Sequence, residues 1–372
     1  MRILMVSKAC LVGAYQTKLE AIARHEGIEL AVVVPPVWRD PAGDVTLERA
    51  HTDGYRLFVD PLRFNGHFHL HYYPRLGERI AAFRPDIVHM DEEPYNLATW
   101  LGIRQAQAAG ARSLFFSWQN IERDYPFPFR LMERQVLETV SYAIVGSEAS
   151  GDVWRAKGYR GPYQVIPQFG IDPEMFHPPQ ERDRGRAFTI GAAGRLVPEK
   201  GFDLLLEAVS SLPGLWQLQI AGDGPQRATL ARLARQAGIA GRIHFEGAIP
   251  STQMPAFLRQ LDALVLPSRT LPNWKEQFGR VLVEAMASGV AVVASDSGEI
   301  PNVVDGAGLL FQEENSAHLR AHLCALLQEE GLRDELGEAG RQRVLDNFTQ
   351  AQVAARTVDV YREMTRQGER DE

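Results

Sequence analysis

Short apolar runs rich in β-branched residues alternate with amphipathic stretches along nearly the whole chain, and few architectures accommodate that pattern. Runs at 3–7, 29–34, 56–59, 86–90, 113–116 and 142–145 have the length and composition of strands. Between them, 95–109 sets Leu97, Trp100, Leu101 and Ile103 toward one helical face, and 129–142 does so with Leu131, Val136, Leu137 and Val140. Strand–helix alternation predicts βα units and a parallel sheet covered on both sides. The pattern pauses at 161–186, GPYQVIPQFGIDPEMFHPPQERDRGR, where five prolines precede a charge cluster. Such density belongs to turns and linkers. Alternation then resumes, with strands expected at 188–192, 216–221, 242–246, 263–266, 291–294 and 309–311. Helices are expected at 202–210, 226–236, 254–260, 279–287 and 317–328. The reading is α/β with two domains, 1–170 and 171–348. The tail, 349–366, reads as one more helix, N-capped by Thr349, with Val353, Thr357, Val360, Tyr361 and Met364 in a stripe that must dock somewhere.

Composition narrows the function classes. A net charge of −7, from 40 basic and 47 acidic residues, lacks the basic excess of a nucleic-acid binder. Two cysteines, Cys10 and Cys324, supply neither a disulfide framework nor a cysteine-rich zinc site. No apolar run reaches the ~18 residues of a spanning helix. The N-terminal MRILMVSKAC is broken by Ser7 and Lys8 and reads as a strand rather than a signal. A cytoplasmic protein is expected, with membrane contact at most peripheral.

The chemistry concentrates in the second half. Residues 194–201, GRLVPEKG, follow a strand and open a helix, so Arg195 and Lys200 can neutralise a diphosphate beside free amides. Gly194, and Gly222 and Gly224 in AGDGP, permit tight turns and close ligand approach. EGAIP at 246–250 is a third turn at a strand end. In open α/β sheets ligands sit at the carboxyl ends of the strands. The stretch from Trp274 to Val304 adds Glu276, just before a helix expected to start near Phe278 or Gly279, and Glu284 eight residues later. In one continuous helix the two would lie roughly 80° apart. With Glu276 in the preceding loop, both can face one pocket, where the amides of Gln277, Phe278 and Gly279 meet an anion. Carboxylates there suit the hydroxyls of a sugar.

These residues, with GSEAS at 146–150 and GIDPEMF at 170–176, resemble the retaining GT-B glycosyltransferases of family 4, the glycosyl transferases group 1. The likeness spans essentially the whole chain and is most specific over 188–310. It implies two Rossmann-like domains facing a central cleft, and a terminal helix, 349–372, packed back on the acceptor-side first domain. It implies Arg195 and Lys200 on the donor diphosphate, Glu284 on the ribose, Glu276 on the transferred sugar and the turn at Ile249 on the base. The partners implied are a nucleotide-sugar donor, uridine first and guanosine second, and a sugar, lipid-linked or small-molecule hydroxyl acceptor. Neither cofactor nor metal is expected. Other expected outcomes are a nucleotide-sugar epimerase on the same fold or an inactive sugar-binding protein. An NAD-dependent dehydrogenase is disfavoured, because 8–18 lacks the Gly-x-Gly-x-x-Gly turn.

The first half departs from the family pattern. A Gly-Gly pair is reduced to Gly13, still expected near the donor. A His-x-His is replaced by His89-Met90-Asp91, leaving His89 and Asp91 as the acceptor-side catalytic candidates. His67, His69 and His71 alternate, as on one face of a strand, and read as a polar face lining the cleft rather than a metal site. Trp118, Gln119 and Asn120 are candidate acceptor contacts.

Overall fold

The computed structural model describes residues 1–40, 43–183 and 185–371, with side chains described to residue 366. The chain divides into two compact units, Met1–Gly170 with Gln350–Glu372, and Ile171–Thr349.

Unit 1 holds β1 (Arg2–Val6), β2 (Glu29–Val34), the antiparallel ribbon β3 (Val37–Trp38) and β4 (Val45–Thr46), then β5 (Arg56–Val59), β6 (Ile87–Met90), β7 (Arg112–Ser117), β8 (Tyr142–Val145) and β9 (Tyr163–Val165). Seven strands form a sheet in the order β5-β2-β1-β6-β7-β8-β9, with parallel pairing throughout. Its helices are α1 (Gly13–Ala23), α2 (Leu76–Phe83), α3 (Leu97–Ala108), α4 (Phe129–Thr139) and α5 (Glu148–Ala156). The strand period of two sorts β1 between two cores. Leu4 and Val6 pack with Leu76, Ile80 and Ile103. Ile3 and Met5 pack with Leu19 and Ile22 of α1 and with Val353, Val358, Tyr361 and Met364 of the terminal helix.

Unit 2 repeats the plan with β10 (Phe188–Ala193), β11 (Trp216–Ala221), β12 (Ile243–Gly247), β13 (Ala263–Leu266), β14 (Ala291–Ser295) and β15 (Leu309–Phe311). All pairs are parallel, in the order β12-β11-β10-β13-β14-β15. Its helices are α6 (Phe202–Ser210), α7 (Arg227–Gln236), α8 (Met254–Arg259), α9 (Arg280–Ala287), α10 (Ile300–Val304), α11 (Ser316–Gln328) and α12 (Glu330–Asn347); α13 (Gln350–Asp371) returns to unit 1. Ile190, Ala192, Leu218 and Val265 enter one core, and Leu264, Leu266, Val292 and Ala294 the other.

Two local expectations change. β9 forms inside the proline-rich stretch, where three residues suffice to extend a sheet whose neighbour β8 leaves an open edge. Residues 67–71 form turns rather than a strand, because the amides of Leu70 and His71 both donate to the carbonyl of His67. No helix of the described residues is long and apolar enough to cross a membrane.

Candidate active site

In unit 2 the loops leaving successive strands are tied together at the sheet's carboxyl edge. Gly194 N–H donates to Ala221 O at 2.9 Å, Leu196 N–H to Asp223 O at 3.0 Å, and Gly222 N–H to Gly247 O at 2.6 Å. The first two turns nearly touch: a Cβ on Gly222, at φ +142°, would lie 1.9 Å from Gly194 O. Gly201, at φ +64°, is equally constrained, since a Cβ there would lie 1.9 Å from Pro267 O. This contact sets the start of α6, and Lys200 with it, against the loop after β13.

The Lys200 ammonium donates to Glu276 Oε2 at 2.6 Å, and Ser268 Oγ donates to the same oxygen at 2.8 Å. Lys200 also lies over the Trp274 ring, 5.0 Å from its centroid. Glu276 is buried, and its carbonyl accepts from Glu299 N–H at 3.1 Å. Two loops, each anchored to a different strand, thus hold the acid against the ammonium. Gly194 borders the Lys200 stem, about 4.0 Å from Cδ and Cε for an added Cβ. Arg195 is exposed and forms no ion pair among the described residues.

Helix α9 starts at Arg280 with Gly279 as N-cap at φ +72°, two residues after the earliest expected start, Phe278. Glu276 consequently sits in the preceding loop. Gln277 is exposed, Phe278 packs edge-on against Phe348 at 5.7 Å, and Gly279 is buried against Leu266 and Leu282. Glu284 accepts from Arg280 Nε at 2.9 Å, one turn away, rather than from Lys200. Burial pushes its carboxyl above the ordinary range, against the pull of Arg280. Ile249 is half-buried beside the core of this face.

Unit 1 has its own cavity of about 310 Å³ at the carboxyl ends of β1, β6 and β7, walled by Tyr15, Trp38, Phe68, Phe116 and Trp118. Its charged groups are Lys8, Asp91, Glu92 and Glu93. Asp91 Oδ2 accepts from Ser7 Oγ at 2.6 Å and Gln168 Nε2 at 3.1 Å, while Oδ1 is buried without a partner. Glu92 binds the Lys8 ammonium and lies 3.6 Å from His71 Nε2. Burial disfavours its charge, but Lys8 and His71 outweigh that and hold the carboxyl down at about 2. Glu93 accepts from Ser117 Oγ at 2.6 Å and Trp118 N–H at 2.8 Å. Burial nevertheless pushes it up to about 7.

Two expectations are corrected here. His89 does not open onto this cavity: its Nδ1 meets Tyr361 Oη of α13 at 2.7 Å inside the core, and burial holds the imidazole well below its ordinary value. The Gly13 amide donates to Glu48 Oε2 at 2.6 Å. The three histidines share no face: His67 is exposed, His69 packs among Tyr95, Tyr125 and Phe129, and buried His71 sits beside Glu92. Trp118 lines the cavity and donates through Nε1 to Gln168; Gln119 and Asn120 are buried beneath it. Lys8, Glu93 and Ser268 were not singled out from the sequence, since each stands among other polar residues at a strand end and only tertiary pairing identifies it.

Residues 176–343 match the family model "Glycosyl transferases group 1". A GDP-mannose-dependent alpha-(1-6)-phosphatidylinositol monomannoside mannosyltransferase of Mycobacterium tuberculosis is 31% identical over 208 residues, 52% of this chain and 54% of the relative. An MMP alpha-(1->4)-mannosyltransferase of Mycolicibacterium hassiacum is 30% identical over 267 residues, 69% of this chain and 62% of the relative. The chain thus spans about half to under two thirds of these relatives' length. Among solved structures, Anabaena HepE in complex with UDP superposes with a TM-score of 0.75 at 18% identity, covering 98% of this chain and 100% of that one. The second unit thus matches the family model of the glycosyl transferases group 1, and the whole chain shares the α/β GT-B fold of two Rossmann-like halves.

Proposed function

We propose that this chain is a glycosyltransferase that moves a sugar from a nucleoside-diphosphate sugar to a hydroxyl acceptor, with retention of anomeric configuration and without a metal. The observation that carries this reading is the Lys200–Glu276–Ser268 cluster, a half-buried ammonium on a buried carboxylate, at the carboxyl edge of the unit 2 sheet within the family-matched segment. The bond from the sugar's anomeric carbon to the diphosphate breaks as the bond to the acceptor oxygen forms on the same face. The acceptor proton passes to a departing phosphate oxygen, and the nucleoside diphosphate leaves. Negative charge gathers on that leaving group, so fixed cations stabilise the transition state more than the ground state. Lys200 and Arg195 supply that charge here, and the start of α9 adds amides. Glu276 holds Lys200 in place and accepts from the sugar hydroxyls, while Glu284 receives the ribose.

The names of the relatives support a nucleotide-sugar donor: the Mycobacterium enzyme is GDP-mannose-dependent, and HepE holds UDP. Uridine and guanosine are the two bases to test, and a tight donor raises stability by mass action. The acceptor hydroxyl enters through the unit 1 cavity, where Asp91 Oδ1 is a buried acceptor atom awaiting a donor. The enzyme acts in the cytoplasm, with at most peripheral membrane contact. The test is product analysis with UDP- and GDP-sugars and a panel of hydroxyl acceptors, in chelator. Transfer giving the donor's anomeric configuration supports the reading. Strict metal dependence, inversion, or donor epimerisation without acceptor contradicts it.

A further inference from the structure

The groups that could bind a phosphate at the unit 1 cavity are already engaged by this chain's own carboxylates. The Lys8 ammonium is the cavity's one cation among the described residues. It is bound by Glu92 and lies over Phe68, 4.7 Å from the ring centroid, and over Trp38 at 5.6 Å. The start of α1, which borders the cavity through Val12 and Tyr15, has its first amide donating to Glu48 at 2.6 Å. The cavity's free capacity is that of a hydrogen-bond acceptor: Asp91 Oδ1 is buried with no partner, and the Glu93 carboxyl stands in the same lining. An incoming phosphate would meet these carboxyls in a weakly screened pocket, whereas a neutral hydroxyl would donate to them. Aromatic walls favour the C–H face of a sugar ring or an apolar aglycone.

We infer that the acceptor of this enzyme is an uncharged hydroxyl compound with an apolar face, a neutral glycoside, and that the cavity discriminates against phosphorylated acceptors through Glu48 and the Glu92–Lys8 pair. This deepens the glycosyltransferase reading and rests on it for calling the cavity the acceptor's.

Calorimetric titration of the full chain tests it with p-nitrophenyl α-D-glucoside and α-D-mannoside and with the same glycosides bearing a 6-phosphate. A neutral glycoside should bind at least tenfold more tightly than its phosphate. Phe68→Ala, at an exposed wall position, should weaken the neutral glycoside at least fivefold. Glu48→Gln, at an exposed residue, should narrow the neutral-to-phosphate ratio to within threefold. Equal or tighter binding of the phosphate, no binding of either neutral glycoside, or indifference to both substitutions would overturn the inference. Thermal shift of the same samples with UDP- and GDP-sugars separates the two readings. A chain that binds donor but prefers the phosphorylated glycoside sinks only the acceptor assignment, and one that binds no nucleotide-sugar sinks the transferase reading itself.

Discussion

Glu93 shows how one residue's setting outweighs its chemistry in isolation. Its carboxyl is pushed up to about 7 although two groups donate to it, because burial disfavours the charge more than the donors favour it. The folded chain therefore holds this proton more tightly than the unfolded chain, so Glu93 contributes most below about pH 4.5, and that contribution is lost as pH rises through about 7. Glu93→Gln should consequently gain stability relative to wild type between pH 5 and pH 8, by at most about 3 kcal/mol. Denaturant titrations of both proteins at the two pH values measure this, and a constant difference would refute it. Lys200 and Glu276 were singled out by the resemblance of their two loops to a family pattern, and the structure pairs them at 2.6 Å. Ser268 was not, since only the fold of the loop after β13 turns its hydroxyl onto Glu276, and Lys8 was not, since its partner Glu92 lies 84 residues away. His89 misled for the same reason: its partner is Tyr361, 272 residues away.

At the scale of elements, close loop contacts fix the unit 2 site. Gly201→Ala would force a Cβ against Pro267 O in a left-handed conformation, and should cost at least about 2 kcal/mol. Its denaturation midpoint reports this, and a wild-type midpoint would contradict the packing described. Helix α13 offers a gentler probe. Tyr361→Phe removes only the hydroxyl that meets His89 Nδ1, leaving a buried ring nitrogen unpaired at a cost of about 1–3 kcal/mol. An unchanged unfolding free energy would show that water or a shifted side chain satisfies the imidazole. Short continuous apolar runs, buried on both faces of the sheets, made most strands legible. The charge-rich α12 carries no strong apolar stripe, and α10, at five residues, is too short for its Ile300, Val303 and Val304 to show a period. The histidine alternation at 67–71 mimicked a strand, but glycine and local carbonyl bonding made turns of it.

At the scale of the whole molecule, alternation implied parallel α/β halves, while strand order could not be read, because it depends on crossovers and not on periodicity. The stripe on the tail required a docking surface without saying which; α13 covers one face of the unit 1 sheet. Deleting residues 350–372 should therefore expose Ile3, Met5 and Val32 and abolish cooperative unfolding of unit 1, read as loss of its protease-resistant fragment. Survival of that fragment would mean that α13 is dispensable. The account as a whole rests on a cation held at the carboxyl edge of the unit 2 sheet for a departing diphosphate. Its most direct test is the rate of sugar transfer by wild type and Lys200→Ala, in chelator, at saturating nucleotide-sugar. The expected result is a loss of more than ~100-fold with the fold intact by circular dichroism; transfer at near wild-type rate in the variant would contradict it.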